Sequence, residues 1–219
     1  MVITIDGLGV NGKTTLARLI SNELGFKNLN TGAIYRCIAL EIINKKLDIS
    51  NINKLIDEVG KIKVDFYQDK VFLNDKDVSE EIRTEEISVC STKWATIPVI
   101  KEFVRNYQKK FIENNNTVIE GRDIATRIAP QADIKFYLYS DFKTRVCRLW
   151  KQNTNISIDK IRENLEIRDD LDINGGNFVK PFDAFEIDTT DKSIDEIYCI
   201  MMNEISKKLT KNSKIIKRW

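Results

Sequence analysis

Val2-Ile3-Thr4-Ile5-Asp6-Gly7-Leu8-Gly9-Val10-Asn11-Gly12-Lys13-Thr14-Thr15 decides how the rest of the chain is read. The β-branched run ending at Asp6 predicts a buried strand. Gly7 to Thr14 fit the spacing G-x-x-x-x-G-K-T, and Leu16, Leu19, Ile20 and Leu24 then recur on one helical face. Gly25 suits a left-handed helix stop. Strand, glycine-rich turn and helix in that order form a phosphate loop. Its backbone N–H groups turn inward around phosphate oxygens, and the helix dipole adds positive charge. Lys13 supplies a point charge for the β and γ phosphates, and the Thr14 hydroxyl suits Mg²⁺. A plain tight turn would explain the glycines but not Lys13-Thr14 at that offset.

Working outward, further strands are expected at 27–30, 117–120, 134–139 and 184–188, with helices between them. That alternation predicts an α/β fold around a parallel five-stranded sheet. Residues 1–30 and 117–210 make its core. Residues 31–116 are too long for a simple crossover and are read as an inserted subdomain. Within it, 63–67 and 70–73 suggest a hairpin turning at Gln68-Asp69, and 83–95 and 99–113 suggest helices. Two charged helices are expected at about 141–152 and 157–170, then a mobile loop over 171–180. Ser193 and Glu196 form a capping box for the last helix. Residues 211–219 are read as a basic tail.

The 219 residues include no histidine, which excludes a Ser-His-Asp triad, a Cys-His dyad and His-ligated metal. Cys37, Cys90, Cys147 and Cys199 are widely scattered, with no zinc or thioredoxin spacing, as in a reducing compartment. No secretory pattern or long apolar run is visible, so a cytoplasmic location without membrane partners is expected. The net charge is +2, with 35 basic against 33 acidic residues. Six of the basic residues fall after Glu204, so the body is not a nucleic-acid-binding surface and no nucleic-acid partner is expected. Neither Asn44-Lys45 nor Asn53-Lys54 is followed by Asp at the guanine-reading offset. A phosphotransferase therefore fits better than a GTPase switch.

Three more polar clusters stand out: Asn30-Thr31-Gly32-Ala33-Ile34-Tyr35-Arg36, Glu120-Gly121-Arg122-Asp123 and Arg168-Asp169-Asp170-Leu171-Asp172. The first two and the phosphate loop all follow strands, where open α/β sheets bind ligands. Together with Val78 to Thr84, these segments run in the order seen in bacterial cytidylate kinases, and over about residues 2–210 the chain resembles that family. The resemblance implies a P-loop nucleoside monophosphate kinase fold with an acceptor-binding insertion and a short lid at about 148–180. It implies transfer of the ATP γ-phosphoryl group to CMP or dCMP with Mg²⁺, by a monomer. Gly7, Gly9, Asn11, Gly12, Lys13, Thr14 and Thr15 would contact ATP, and Thr14 and Glu120 would serve the metal. Arg36 and Arg122 would grip the acceptor phosphate beside Thr31 and Tyr35. Thr92, Lys101 and Asp123 would face cytosine, and Arg168 and Asp172 the sugar. Lys13 and Arg122, with Arg145 and Arg148 as lid arginines, form the catalytic set.

Several positions depart from the family pattern. Asn30 stands for the usual Asp, Lys101 for Arg and Ala125 for Gly, and Leu8-Gly9-Val10-Asn11 is an unusual loop filling. An Arg usual near Gly175 is missing, and Lys180 is the downstream cation that could replace it. A related kinase with a shifted acceptor (another pyrimidine nucleotide or a specialised small molecule) is one alternative. A non-catalytic nucleotide-binding regulator is the other.

Overall fold

In the computed structural model, residues 1–67, 70–152 and 154–216 are described. The chain begins with β1 (Val2–Asp6), α1 (Lys13–Leu24), β2 (Lys27–Asn30), α2 (Thr31–Asn44) and α3 (Ile52–Val59). Then come β3 (Val64–Tyr67), β4 (Lys70–Leu73), β5 (Lys76–Asp77), a 3₁₀ turn at Glu81–Arg83, α4 (Glu85–Trp94) and α5 (Pro98–Glu113). The second half holds β6 (Thr117–Gly121), a π-helical turn at Ile124–Ile128, β7 (Ile134–Tyr139), α6 (Phe142–Gln152), α7 (Ile158–Ile173), β8 (Phe185–Asp188) and α8 (Ile194–Ile216).

β1, β2, β6, β7 and β8 form a wholly parallel sheet in the order β2-β6-β1-β7-β8. Its central strands are buried because helices cover both faces. On one side α1 and α8 close over Ile3, Ile5, Phe136 and Leu138 with Leu16, Ile20, Ile197 and Met201. On the other, Leu29 and Ile119 pack with Ile34, Ile38, Leu55, Ile100 and Val104 from α2, α3 and α5. A smaller core of Val146, Leu149, Ile161 and Leu165 joins α6 to α7, and Val10 of the phosphate loop rests against it.

The five core strands fall where the sequence predicts them. The hairpin forms with Val64 opposite Leu73 and Tyr67 opposite Lys70; its expected turn at Gln68-Asp69 lies outside the described residues. Differences from expectation are local. β5 adds a short third strand to the hairpin, and the expected helix over 83–95 begins as a 3₁₀ turn. The Thr84 side chain then caps α4 by accepting from Ile87 N at 3.4 Å. The expected mobile loop at 171–180 is a correction: α7 runs on to Ile173, and the residues after it are tied down. Asn177 N and Phe178 N both donate to Asp172 O, at 2.9 and 2.8 Å, and Val179 N donates to Arg122 O at 3.3 Å. α8 continues through Ile216, so the residues set apart as a basic tail begin inside that helix, and 217–219 lie outside the described residues.

Candidate active site

Strand register aligns the candidate clusters before any side chain is considered. Asp6 on β1 is level with Gly121 on β6, and Asn30 on β2 is level with Glu120. The phosphate loop, the start of α2 and Gly121-Arg122-Asp123 therefore leave the sheet side by side. They line one pocket together with α4 and the C-terminal part of α7. Of the expected residues, Gly9, Lys13, Thr14, Thr31, Tyr35, Arg36, Thr92, Lys101, Glu120, Arg122, Asp123, Arg168 and Asp172 all lie in its wall.

The loop's backbone is set by its sequence. Gly12 caps α1 at φ 80°, a conformation that favours glycine. Val10 also sits at φ 66°, where a β-branched residue is strained, and its packing against the α6–α7 core helps to hold it there. Lys13 is buried, and its Nζ donates to Leu8 O at 2.7 Å. Asn11 Nδ2 donates to the same carbonyl at 3.2 Å, and Ser140 Oγ donates to Asn11 Oδ1 at 2.6 Å. Asn11 thus braces the loop; like Gly7, Gly12 and Thr15, it lies outside the pocket wall. Burial, with Arg122 nearby, pushes the Lys13 ammonium well below its usual range; Glu120, Asp172 and Asp6 partly offset this.

Opposite the loop, cations crowd together. Burial and then Arg168, reinforced by Arg122 and Arg83, lower Arg36 to about 10. Arg168 is lowered by burial and by Arg122. Arg122 is raised instead: burial works against its charge, but Asp172 and Glu120 overcome it. Its Nε donates to Asp172 Oδ2 at 2.7 Å and its Nη1 to Gly7 O at 3.2 Å, bridging α7 to the phosphate loop. Arg36 and Arg168 therefore keep charge that neighbouring carboxylates only partly compensate, the condition that favours an anion.

At the other end, Asp123 Oδ2 is 3.1 Å from Arg127 Nη1 and 3.8 Å from Arg105 Nη2. Lys101 lies nearby, with its ammonium lowered by burial and by Arg105 and Arg127. Thr92 Oγ1 donates to Ser88 O at 3.0 Å, and buried Gln108 Nε2 donates to Thr31 Oγ1 at 2.9 Å. The departures from the family pattern also acquire reasons. Asn30 caps α2, its Oδ1 accepting from Ala33 N at 3.0 Å. Ala125 is not among the positive-φ residues, so its Cβ is accommodated, and its N–H donates to Asp6 Oδ2 at 2.7 Å.

Arg145 and Arg148 do not join these residues. Arg145 makes a forked ion pair with Asp169, at 2.9 and 2.6 Å, and stacks over Phe142. Arg148 donates to the side chain and carbonyl of Thr189. Lys180, the expected replacement for the missing Arg, instead pairs with Glu186 at 2.8 Å and lies over Tyr137. It is absent from the pocket wall. The family resemblance puts the two arginines near the transferred phosphoryl; here their acceptors lie within the α6–α7–β8 scaffold.

Sequence reasoning missed Asp6, Arg105, Gln108, Arg127 and Asn177. Asp6 was legible as the polar end of a buried strand: its carboxylate accepts from Ile124 N and Ala125 N at 2.9 and 2.7 Å, pinning the π-helical turn after Arg122. The other four carry no local signature.

The pocket holds oxygen donors that fit a divalent cation. Glu120 Oε1 is buried without a hydrogen-bond partner, and Glu120 and Thr14 line the same pocket as Lys13. Hard oxygen donors of this kind suit Mg²⁺, which is usually held by few protein groups and completed by phosphates and water. The described residues contain no cluster of three or more His, Cys, Asp or Glu able to hold a metal alone.

A parallel sheet, a phosphate loop on its central strand and a facing arginine cluster define a P-loop kinase. Solved structures agree at the level of the fold. A gluconokinase from Sinorhizobium meliloti superposes with a TM-score of 0.51 at 11% identity, covering 98% of this chain and 95% of its own. An uncharacterised protein from Eubacterium ventriosum does so with 0.52 at 15%, covering 94% and 98%. Sequence is more specific: the family model for cytidylate kinase matches residues 3–207, and the chain belongs to that family. Cytidylate kinase of Pseudothermotoga lettingae is 35% identical over 204 residues, 90% of each chain. That of Oceanobacillus iheyensis is 32% identical over 224 residues, 98% of this chain and 97% of the relative. The protein is thus a nucleoside monophosphate kinase. No helix among the described residues is long and apolar enough to cross a membrane.

Proposed function

We infer that this kinase converts ATP and CMP or dCMP into ADP and CDP or dCDP. The observation that carries the reading is one pocket holding Lys13 and Thr14 on the phosphate-loop side and Arg36, Arg122 and Arg168 opposite. Two phosphate-bearing substrates fit such a pocket, and each relieves repulsion among buried cations. Lys13 follows the β and γ phosphates, while the N–H groups opening α1 orient them. Arg36 and Arg122 hold the acceptor phosphate as the nucleophile, with Thr31 and Tyr35 shaping its seat. Thr14 and Glu120 hold Mg²⁺, directly or through water, and the metal neutralises charge on the phosphates.

Asp123, Thr92 and Lys101 read the base. An acceptor carboxylate favours an exocyclic amine over a uracil carbonyl. Arg168 and Asp172 hold the sugar. Residues 31–116 act as the acceptor-binding insert, and about 148–180 as the lid. The enzyme works in the cytoplasm as a monomer, without nucleic-acid or membrane partners. Neither a shifted acceptor nor a non-catalytic regulator draws support from the family match or the pocket. ADP formation from Mg²⁺-ATP, measured in parallel with CMP, dCMP, UMP, AMP, GMP and dTMP, tests the reading. Turnover confined to CMP and dCMP is expected; preferred turnover of another acceptor contradicts it.

A further inference from the structure

Asn177 lies in the pocket wall with a polar side chain that no contact explains. It is 7% exposed, and both its Nδ2 and Oδ1 are buried without a hydrogen-bond partner. An amide in that state leaves a buried donor and a buried acceptor unpaired, which costs the fold stability. Its backbone is nevertheless firmly placed. Asn177 N donates to Asp172 O at 2.9 Å, and the preceding Gly176 O accepts from Arg127 Nη1 at 2.7 Å. Val179 N donates to Arg122 O at 3.3 Å, so the segment is laced to the end of β6 on one side and α7 on the other.

Gly175 and Lys180 supply no cation to this corner, and the guanidinium groups of Arg127 and Arg122 there are engaged by Gly176 O and Asp172. A Cβ at Gly175 would lie 2.3 Å from Leu171 O and 3.0 Å from Thr96 Cγ2, so the backbone excludes any side chain there. Lys180 is turned away onto Glu186. Asn177 therefore adds a neutral amide to the pocket wall that Asp172 also lines. A phosphate oxygen would satisfy Nδ2 but leave Oδ1 facing another acceptor. Adjacent hydroxyls, one accepting and one donating, satisfy both atoms.

We propose that Asn177 binds the ribose hydroxyls of the acceptor nucleotide and favours CMP over dCMP. This rests on the CMP and dCMP reading above, and specifically on the sugar lying beside Asp172. Nδ2 donates to one hydroxyl and Oδ1 accepts from its neighbour. A site built to bond a hydroxyl discriminates against the analogue lacking it, because its own polar groups are then left unpaired.

The test compares wild type with Asn177→Ala and Asn177→Ser, measuring kcat/KM for CMP and for dCMP and KM for ATP. Melting-temperature shifts on adding CMP or dCMP are recorded for the same proteins. For Asn177→Ala, kcat/KM for CMP is expected to fall about tenfold, the loss for dCMP to be clearly smaller, and KM for ATP to hold. Asn177→Ser, which keeps a hydroxyl, is expected to recover part of the loss and serves alone if the alanine variant fails to fold. Equal losses for the two acceptors, or no loss, overturn the proposal. If wild type turns over neither acceptor, the function reading fails on its own. The ribose claim then stands or falls on whether the extra stabilisation by CMP over dCMP disappears in the variants.

Discussion

The floor of the pocket and the α6–α7 arm each carry arginines, and they spend the charge differently. On the floor, burial lowers both Arg36 and Arg168, helped by Arg168 at the first and by Arg122 at the second, and Arg122 is divided between Asp172 and a loop carbonyl. On the arm, Arg145 is matched by a forked bond to Asp169, and Arg148 by Thr189. The first set is arranged for an anion that must arrive, and the second for contacts already made. Both regions set arginines beside carboxylates, Arg122 at Asp172 and Arg145 at Asp169. What separates them is the pocket: Arg36, Arg122 and Arg168 share its wall, whereas Arg145 and Arg148 lie outside it.

The sharpest break between the regions comes from the phosphate loop. Lys13→Ala is expected to lower turnover by about 10³-fold in steady-state ADP formation, with far-UV circular dichroism unchanged. A loss of only a few-fold would show that the loop lysine does not carry the transferred charge. On the arm the order of effects reverses. Arg145→Ala leaves Asp169 buried and unpaired, since their side chains are only 6% and 14% exposed. Urea unfolding should show a loss of about 3 kcal/mol. Turnover per folded molecule should hold nearly constant. Collapse of turnover at unchanged stability would instead make Arg145 part of the reacting site.

Asp6 extends the comparison to pH. Burial, with Asp123 adding to it, raises this carboxyl from 3.8 to about 6, despite the N–H groups of Ala125 and Ile124 and the charge of Lys13. Between those values the folded chain keeps a proton that the unfolded chain has released. Stability from this group is therefore present below the unfolded pKa and is lost as pH rises through the folded one. The loss is about 3 kcal/mol across that window. Asp6→Asn removes the titration, so its unfolding free energy should improve relative to wild type from pH 4 to pH 6. Parallel profiles would place the carboxyl in its ordinary range.

Most of this floor was legible because its signals are local. Gly7 to Thr14 combine strand, loop and helix within a few residues, and Thr31–Arg36 and Glu120–Asp123 are compact polar clusters, the second ending a β-branched run. Asn177, Gln108, Arg105 and Arg127 were not legible, because each acquires its meaning from a partner or pocket assembled across the fold. Gln108 reaches Thr31 from another helix, and the Asn177 amide is buried by contacts of α7 and β6. Arg145 and Arg148 are expected beside the transferred phosphoryl from the family resemblance alone. Here they pair with Asp169 and Thr189, partners that no local signal announces.

The most direct test of the floor is Arg36→Ala with two readouts on one sample: kcat/KM for CMP and the unfolding free energy. The account predicts a fall of about 10²-fold in kcat/KM, from a lost charge-assisted contact to phosphate. It predicts stability unchanged or slightly higher, because repulsion with Arg168 and Arg122 is relieved. A marked loss of stability with kcat/KM for CMP intact would contradict it, and would make Arg36 a structural residue like Arg145.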